Sequence, residues 1–162
     1  MKEILVYLER CLGCKACELA CAVEHSISKD LFTAVFEALP PVPRVYVEAG
    51  EKFNFPLQCR HCADAQCIKS CITGALRRNE ETGLVQHEQE KCVGCWMCVM
   101  ACPFGVITRD RVKQSVLKCD RCPDREIPAC VASCPTKALS LEEVTSFAKD
   151  KRKEYLANFR EI

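Results

Sequence analysis

Apolar positions along this 162-residue chain come in short bursts, never in one long run. Residues 2–8, from Lys2 to Leu8, alternate loosely and are rich in Ile, Val and Tyr, which predicts a short strand. Glu18 to Glu24 predicts a turn of helix. Arg44 to Glu48 has period two, Ala49 to Lys52 reads as a turn, and Phe53 to Leu57 completes a predicted hairpin. A second hairpin is predicted from Ala75–Arg78 and Leu84–His87, closed by Asn79–Gly83. Val106–Thr108 and Val116–Leu117 bracket a charged turn in the same way. The stretch from Leu141 to Ile162 is different, because it lacks Cys, Gly and Pro. There Val144, Phe147, Ala148, Lys151, Tyr155, Phe159 and Ile162 fall near helical spacing on one face. Ser140 with Glu143 resembles a capping box, so a helix is expected over 141–162. Such a helix either packs back on the protein or docks a partner subunit or a second copy of the chain.

Between these elements lie the cysteines, which change the picture. All sixteen fall into four blocks of four, and each block ends in C-x3-C. The blocks are Cys11, Cys14, Cys17, Cys21; Cys59, Cys62, Cys67, Cys71; Cys92, Cys95, Cys98, Cys102; and Cys119, Cys122, Cys130, Cys134. A C-x2-C-x2-C loop curls around a cube of iron and sulfur and aims three thiolates at three irons. The fourth cysteine, after x3, is expected on the helix that leaves the loop. In two-cluster ferredoxins it ligates the other cluster, so the halves cross-tie. Four blocks match the ligand count for four 4Fe-4S clusters. Blocks one and three keep the tight spacing, whereas block two has x4 between Cys62 and Cys67 and block four has x7 between Cys122 and Cys130. Proline follows the last cysteine at Pro103 and Pro135 but is replaced by Ala22 and Ile72 in the other two blocks.

Cysteine makes up about a tenth of the chain, which in a short secreted protein would suggest disulfides. The close C-x2-C pairs and the fourfold repeat suit metal instead. The first ten residues hold neither a long apolar segment nor a twin arginine, so a cytoplasmic protein is expected. No apolar run approaches the roughly 20 residues of a membrane helix, so no direct membrane insertion is expected. The formal charge of +1 counts no thiolates, and four oxidised clusters would bring it to about −7. That balance argues against a nucleic-acid binder. Lys15, Arg60, Lys69, Lys91, Lys118 and Arg121 flank the ligands and read mostly as solvated surface residues, with local offset of cluster charge as the alternative.

His25, His61 and His87 are surplus to ligation, and His61, lying between Cys59 and Cys62, reads as a hydrogen-bond partner near a cluster. Trp96 reads as packing, and Gly13 and Gly94 as the flexible points of their loops. No nucleotide loop, paired carboxylates or nucleophile–base set is present, so nothing reads as catalytic. Two other readings stay open: a zinc-binding structural module, which needs neither the third cysteine nor C-x3-C-P, and a catalytic cluster enzyme, which needs an open iron site.

With its four blocks the chain resembles the four-cluster ferredoxin-like electron-transfer subunits of anaerobic oxidoreductases over residues 4–141. Cys11 to Ser26, Pro56 to Cys62 and Cys92 to Gly105 look closest to the CooF-type partner of nickel carbon monoxide dehydrogenase. Similar subunits serve tungsten aldehyde oxidoreductases, formate dehydrogenases and hydrogenases. The resemblance implies an α+β fold with two ferredoxin-like lobes, exchanged segments, short hairpins and a C-terminal helix. The four-cluster domain would span 1–140, one lobe coming from about 53–110 and the other from the chain ends. It also implies crossed ligation. Cys11, Cys14 and Cys17 would share a cluster with Cys134; Cys119, Cys122 and Cys130 with Cys21; Cys59, Cys62 and Cys67 with Cys102; and Cys92, Cys95 and Cys98 with Cys71. The implied function is relay of low-potential electrons between a catalytic oxidoreductase subunit and a second redox protein, with no chemistry of its own.

Overall fold

A computed structural model describes residues 2–110 and 112–157. In chain order the strands are β1 (Lys2–Val6), β2 (Val45–Ala49), β3 (Asn54–Gln58), β4 (Leu76–Arg78), β5 (Val85–His87), β6 (Thr108–Arg109), β7 (Val116–Leu117) and β8 (Leu139–Glu143). The helices are α1 (Ala16–Glu24), α2 (Leu31–Val35), α3 (Gln66–Lys69), α4 (Met97–Ala101), α5 (Ala129–Ala132) and α6 (Val144–Ala157). The strands form four antiparallel pairs, β1 with β8, β2 with β3, β4 with β5 and β6 with β7. Three are local hairpins. The fourth joins the chain ends, pairing Lys2 with Glu143 and Val6 with Leu139.

Two apolar clusters follow from this pairing. One gathers Ile4, Cys17, Cys21, Val45, Val47, Cys130 and Leu139, drawn from both ends of the chain and from β2. The other gathers Ala65, Leu76, Val85, Cys98, Ile107 and Val116, all from the middle. The helix pairs repeat the division: α1 packs on α5, and α3 on α4. In a chain this short little apolar surface can be buried, and cysteines stand inside both clusters. The halves meet through polar groups. Gln58 Nε2 donates to the Ile4 carbonyl at 3.2 Å, and the Tyr46 hydroxyl meets the Thr108 hydroxyl at 3.1 Å.

Several expectations need correction. The strand β8 runs through Ser140 to Glu143, so these residues are no helix cap and the terminal helix begins at Val144, not 141. Edge pairing with β1 satisfies their backbone and outweighs the local capping pattern. The short helix α2 has no counterpart in the hydrophobic pattern; Asp30 caps it, its carboxylate accepting from the Thr33 amide at 2.9 Å. Around it Phe32 and Phe36 are exposed. Of the fourth cysteines only Cys21 lies on a helix. Cys102 caps the end of α4, and Cys71 and Cys134 lie just past α3 and α5. Pro103 and Pro135 disfavour helical backbone in the residue before them, and a turn in which the Gly74 amide donates to the Cys71 carbonyl does the same work in block two. Block one has Ala22 and Val23 instead, and its helix runs on.

Helix α6 lies on β1 and β8. Phe147 meets the Tyr7 ring at 4.6 Å between centroids, and Lys151 pairs with Glu9. Farther along, Tyr155 and Leu156 are exposed. Phe159 and Ile162 lie outside the described residues. Among the described residues no helix is long and apolar enough to cross a membrane. Since Phe147 is only half-buried, Phe147→Ala is expected to cost about 1–2 kcal/mol, below the roughly 3–5 kcal/mol of a fully buried phenylalanine. Anaerobic unfolding of the loaded protein checks this, and iron content should be unchanged.

Candidate metal centres

Each cysteine block begins with the same backbone move. The second residue after the first cysteine has left-handed φ: Gly13 at 70°, His61 at 45°, Gly94 at 65° and Arg121 at 68°. In blocks one and three a second left-handed residue follows, Lys15 at 59° and Trp96 at 63°, and each stands at the N-terminal end of a helix. Such alternation turns successive N–H groups toward one concavity, which suits bound anions. Gly13 and Gly94 take this conformation without side-chain strain, as expected, and a Cβ there would also crowd Asn54 or Gln114. His61 and Arg121 hold the equivalent place without being glycine, a correspondence that aligning the four C-x2-C steps would have revealed.

The fold gathers the cysteines across blocks. Cys11, Cys14 and Cys17 line one small cavity together with Cys134. Cys59, Cys62 and Cys67 line a second with Cys102. Cys92, Cys95 and Cys98 line a third with Cys71. Of the remaining four, Cys21 and Cys130 share the end-derived apolar cluster, and beside burial the charges of Cys119, Cys21, Cys122 and Cys17 push the Cys130 thiol up. The x7 segment of block four is fixed by Arg125, whose amide donates to the Cys122 carbonyl at 3.0 Å and whose guanidinium pairs with Glu24 on α1 at 2.9 Å.

Sulfur atoms receive backbone N–H groups. The Arg44 amide donates to Cys21 Sγ at 3.2 Å, the Ala138 amide to Cys134 Sγ at 3.2 Å and the His61 amide to Cys59 Sγ at 3.4 Å. Burial pushes the Cys17 and Cys98 thiols up to about 11 and Cys119 to about 12. Left to themselves these groups would stay protonated at neutral pH. Coordination must expel their protons, which couples metal binding to folding. Four sulfurs around one cavity, with amides aimed at sulfur, match the four-thiolate cradle of a cubane cluster.

The surrounding side chains divide. Lys15, Lys69 and Lys91 are exposed, as expected of solvated residues. Arg60 is half-buried, with Nη1 3.5 Å from the Ile4 carbonyl. Lys118 and Arg121 depart from that reading. Arg121 donates to the Lys2 carbonyl at 2.8 Å and pairs with Glu3, so it anchors β1. Lys118 is 4 % exposed, because it follows β7 directly and its stem runs inward with the strand. His61 is buried. Its Nδ1 accepts from the Val85 amide at 3.0 Å, which leaves the proton on Nε2, an atom with no partner among the described residues. Burial, then the Lys118 charge, lowers its pKa to about 3, so it is neutral. His25 is opposed by burial, but hydrogen bonds to Asp120 and Cys21 raise its pKa to about 9. Asp120 joins His25 to Arg44, whose amide reaches Cys21. Trp96 packs at the edge of the central cluster, with the Arg109 guanidinium 5.0 Å from its ring centre.

Comparisons with known proteins agree with this geometry. A 4Fe-4S dicluster domain model matches residues 51–144, and a 4Fe-4S binding domain model matches residues 8–24. An iron-sulfur protein of Rhodospirillum rubrum is 38% identical over 90% of this chain and 85% of its own length. The electron transport protein HydN of Escherichia coli is 38% identical over 84% of this chain and 85% of its own. The B subunit of the anaerobic dimethyl sulfoxide reductase of Haemophilus influenzae is 37% identical over 84% of this chain and 71% of its own.

The two loop glycines set up a contrast. A Cβ at Gly94 would lie 2.9 Å from the Gln114 carbonyl oxygen, whereas one at Gly74, with φ 66°, meets nothing within 4 Å. Gly74→Ala is expected to cost only the left-handed strain, about 1–2 kcal/mol. Gly94→Ala should add a clash with backbone and shed iron faster. Iron release to a chelator under anaerobic conditions, compared between the two variants, checks this.

Proposed function

The chain belongs to the 4Fe-4S ferredoxin-type family of electron-transfer proteins, and from that premise we propose that it relays low-potential electrons between a catalytic oxidoreductase subunit and a second redox protein. The observation that supports this reading is that sixteen cysteines, all free, fall into four sequence blocks of four, with no block short of a thiol. A site with an open iron, which catalysis at a cluster would require, has no support in that count. Relatives named as electron transport proteins or as a subunit of a reductase point the same way.

In this reading the sets are those of crossed ligation: Cys11, Cys14, Cys17 with Cys134; Cys21 with Cys119, Cys122, Cys130; Cys59, Cys62, Cys67 with Cys102; and Cys71 with Cys92, Cys95, Cys98. The two end-derived sets form one lobe and the two central sets the other, with α6 as an appendage to the first. Bound clusters supply reversible one-electron chemistry. The chain supplies the thiolates, the amides that stabilise charge on sulfur, and the packing that keeps neighbouring centres at fixed separations.

For the catalytic partner we favour a nickel carbon monoxide dehydrogenase, on the likeness of residues 11–26, 56–62 and 92–105 to CooF-type subunits. An equivalent place beside a tungsten aldehyde oxidoreductase, a formate dehydrogenase or a hydrogenase is the alternative. The circuit is tested by adding a catalytic amount of carbon monoxide dehydrogenase and carbon monoxide to the oxidised protein. Rapid bleaching of the visible cluster absorbance is expected. Bleaching only with formate dehydrogenase and formate, or with hydrogenase and hydrogen, would reject the favoured partner.

Crossed ligation has its own test. Cys71→Ala should remove the centre built on Cys92, Cys95 and Cys98 and lower the iron by about four per chain, while the centre on Cys59, Cys62 and Cys67 survives. Mössbauer and EPR spectra of Cys71→Ala beside Cys95→Ala and Cys62→Ala check it. A loss in Cys71→Ala that matches Cys62→Ala and not Cys95→Ala would contradict the crossing.

A further inference from the structure

Lys118 stands where the two halves of the protein meet. Its Nζ donates to the Val85 carbonyl at 2.7 Å and to the Cys119 carbonyl at 2.9 Å, and lies 3.4 Å from His61 Nδ1. An ammonium has three N–H bonds; two carbonyls accept from this one, while the His61 Nδ1 lone pair is already taken by the Val85 amide. The Val85 carbonyl belongs to the central half, and Val85 and His61 line the cavity of Cys59, Cys62, Cys67 and Cys102. The Cys119 carbonyl belongs to the half built from the chain ends. The residue thus bridges two cysteine sets.

Among the described residues no carboxylate pairs with Lys118. Asp120, two residues on, is committed to His25, Arg44 and the Cys122 amide. A buried ammonium is costly unless an opposite charge compensates it. The lysine charge acts on Cys67 in one set and on Cys119 in the other, opposing the upward push of burial on both thiols; bound to a cluster, both would be thiolates. Hydrogen bonds to carbonyls fix its position, and cluster-bound sulfur supplies the opposite charge on both sides.

Resting on the four-centre reading above, the geometry points to Lys118 as a fixed positive bridge between two centres, raising the reduction potential of both. Each centre becomes more negative by one unit on reduction, and a cation held beside it in a medium of low dielectric stabilises the reduced form more than the oxidised form. The centres of Cys59, Cys62, Cys67, Cys102 and of Cys21, Cys119, Cys122, Cys130 therefore accept electrons more readily than their ligands alone would dictate. This places a pair of higher-potential sites at the junction of the halves, where an electron crosses from one lobe to the other. Lys118 is a positioning residue for charge and touches no substrate.

The test is an anaerobic redox titration followed by EPR on the full chain and on Lys118→Gln, Lys118→Met and Lys118→Arg. In Lys118→Gln and Lys118→Met two of the four centres should move to lower potential, and in Lys118→Arg they should stay near their original values. Full iron with all four potentials unchanged in Lys118→Gln would overturn the inference alone. An equal shift of all four centres would also overturn it. Iron well below about sixteen per parent chain would overturn the four-centre reading and this inference with it. Should both neutral variants fail to load iron while Lys118→Arg loads fully, the need for positive charge stands. Failure of all three would make the residue a packing element and reject the bridge.

Discussion

Cysteines gathered in fours around shared cavities call for metal, and the rest of this structure depends on that constraint. Cys17, Cys21 and Cys130 sit in one apolar cluster and Cys98 in the other. As free thiols they contribute only modest packing, and burial pushes the pKa of Cys17, Cys98 and Cys130 up. As thiolates on a cluster, in the proposed ligation, they would cross-link segments far apart in sequence, such as Cys17 with Cys134. The apolar residues beside them, Ile4, Val45 and Leu139 in one half and Leu76, Val85 and Ile107 in the other, are too few to hold such segments alone. Metal, fold and electron path are therefore one design: the same bonds that close the two halves also set the separations between redox centres.

Much of this is legible in the residues. The three hairpins follow from alternating apolar positions and from turn residues such as Asn79 and Gly83. The convergence of the chain ends is expected from the nested repeat, in which blocks one and four supply one lobe and blocks two and three the other. Family resemblance supplies the grouping of cysteines, and the cavities gather three of the four sets in that grouping. The rest is decided by tertiary context. Ser140 and Glu143 carry a local capping pattern, yet pairing with β1 overrides it. The fourth cysteines leave their helices wherever proline or a glycine turn follows. Lys118 reads as a solvated surface residue because lysine usually is one; only its partner at the Val85 carbonyl, distant in sequence, reveals it as buried.

The junction between the halves is more polar than either interior. Gln58, His61 and Lys118 are buried there, and Arg44, Asp120 and His25 form a hydrogen-bonded chain against Cys21. Buried polar networks are costly unless satisfied, and an electron-transfer protein has a use for them: every fixed dipole or charge near sulfur shifts the balance between oxidised and reduced forms. His61 combines both features, with one nitrogen held by the Val85 amide and the other without a protein partner among the described residues, beside the cavity of Cys59, Cys62, Cys67 and Cys102. On the inference drawn from Lys118, the same few residues would adjust both potential and architecture.

The central claim is that the sixteen cysteines hold four cubane clusters and nothing else. Quantifying iron, acid-labile sulfide and zinc together on the anaerobically purified full chain tests it most directly. The account predicts about sixteen irons and about sixteen sulfides per chain with no stoichiometric zinc. A folded protein carrying zinc, or one with half the iron and intact secondary structure, would contradict it.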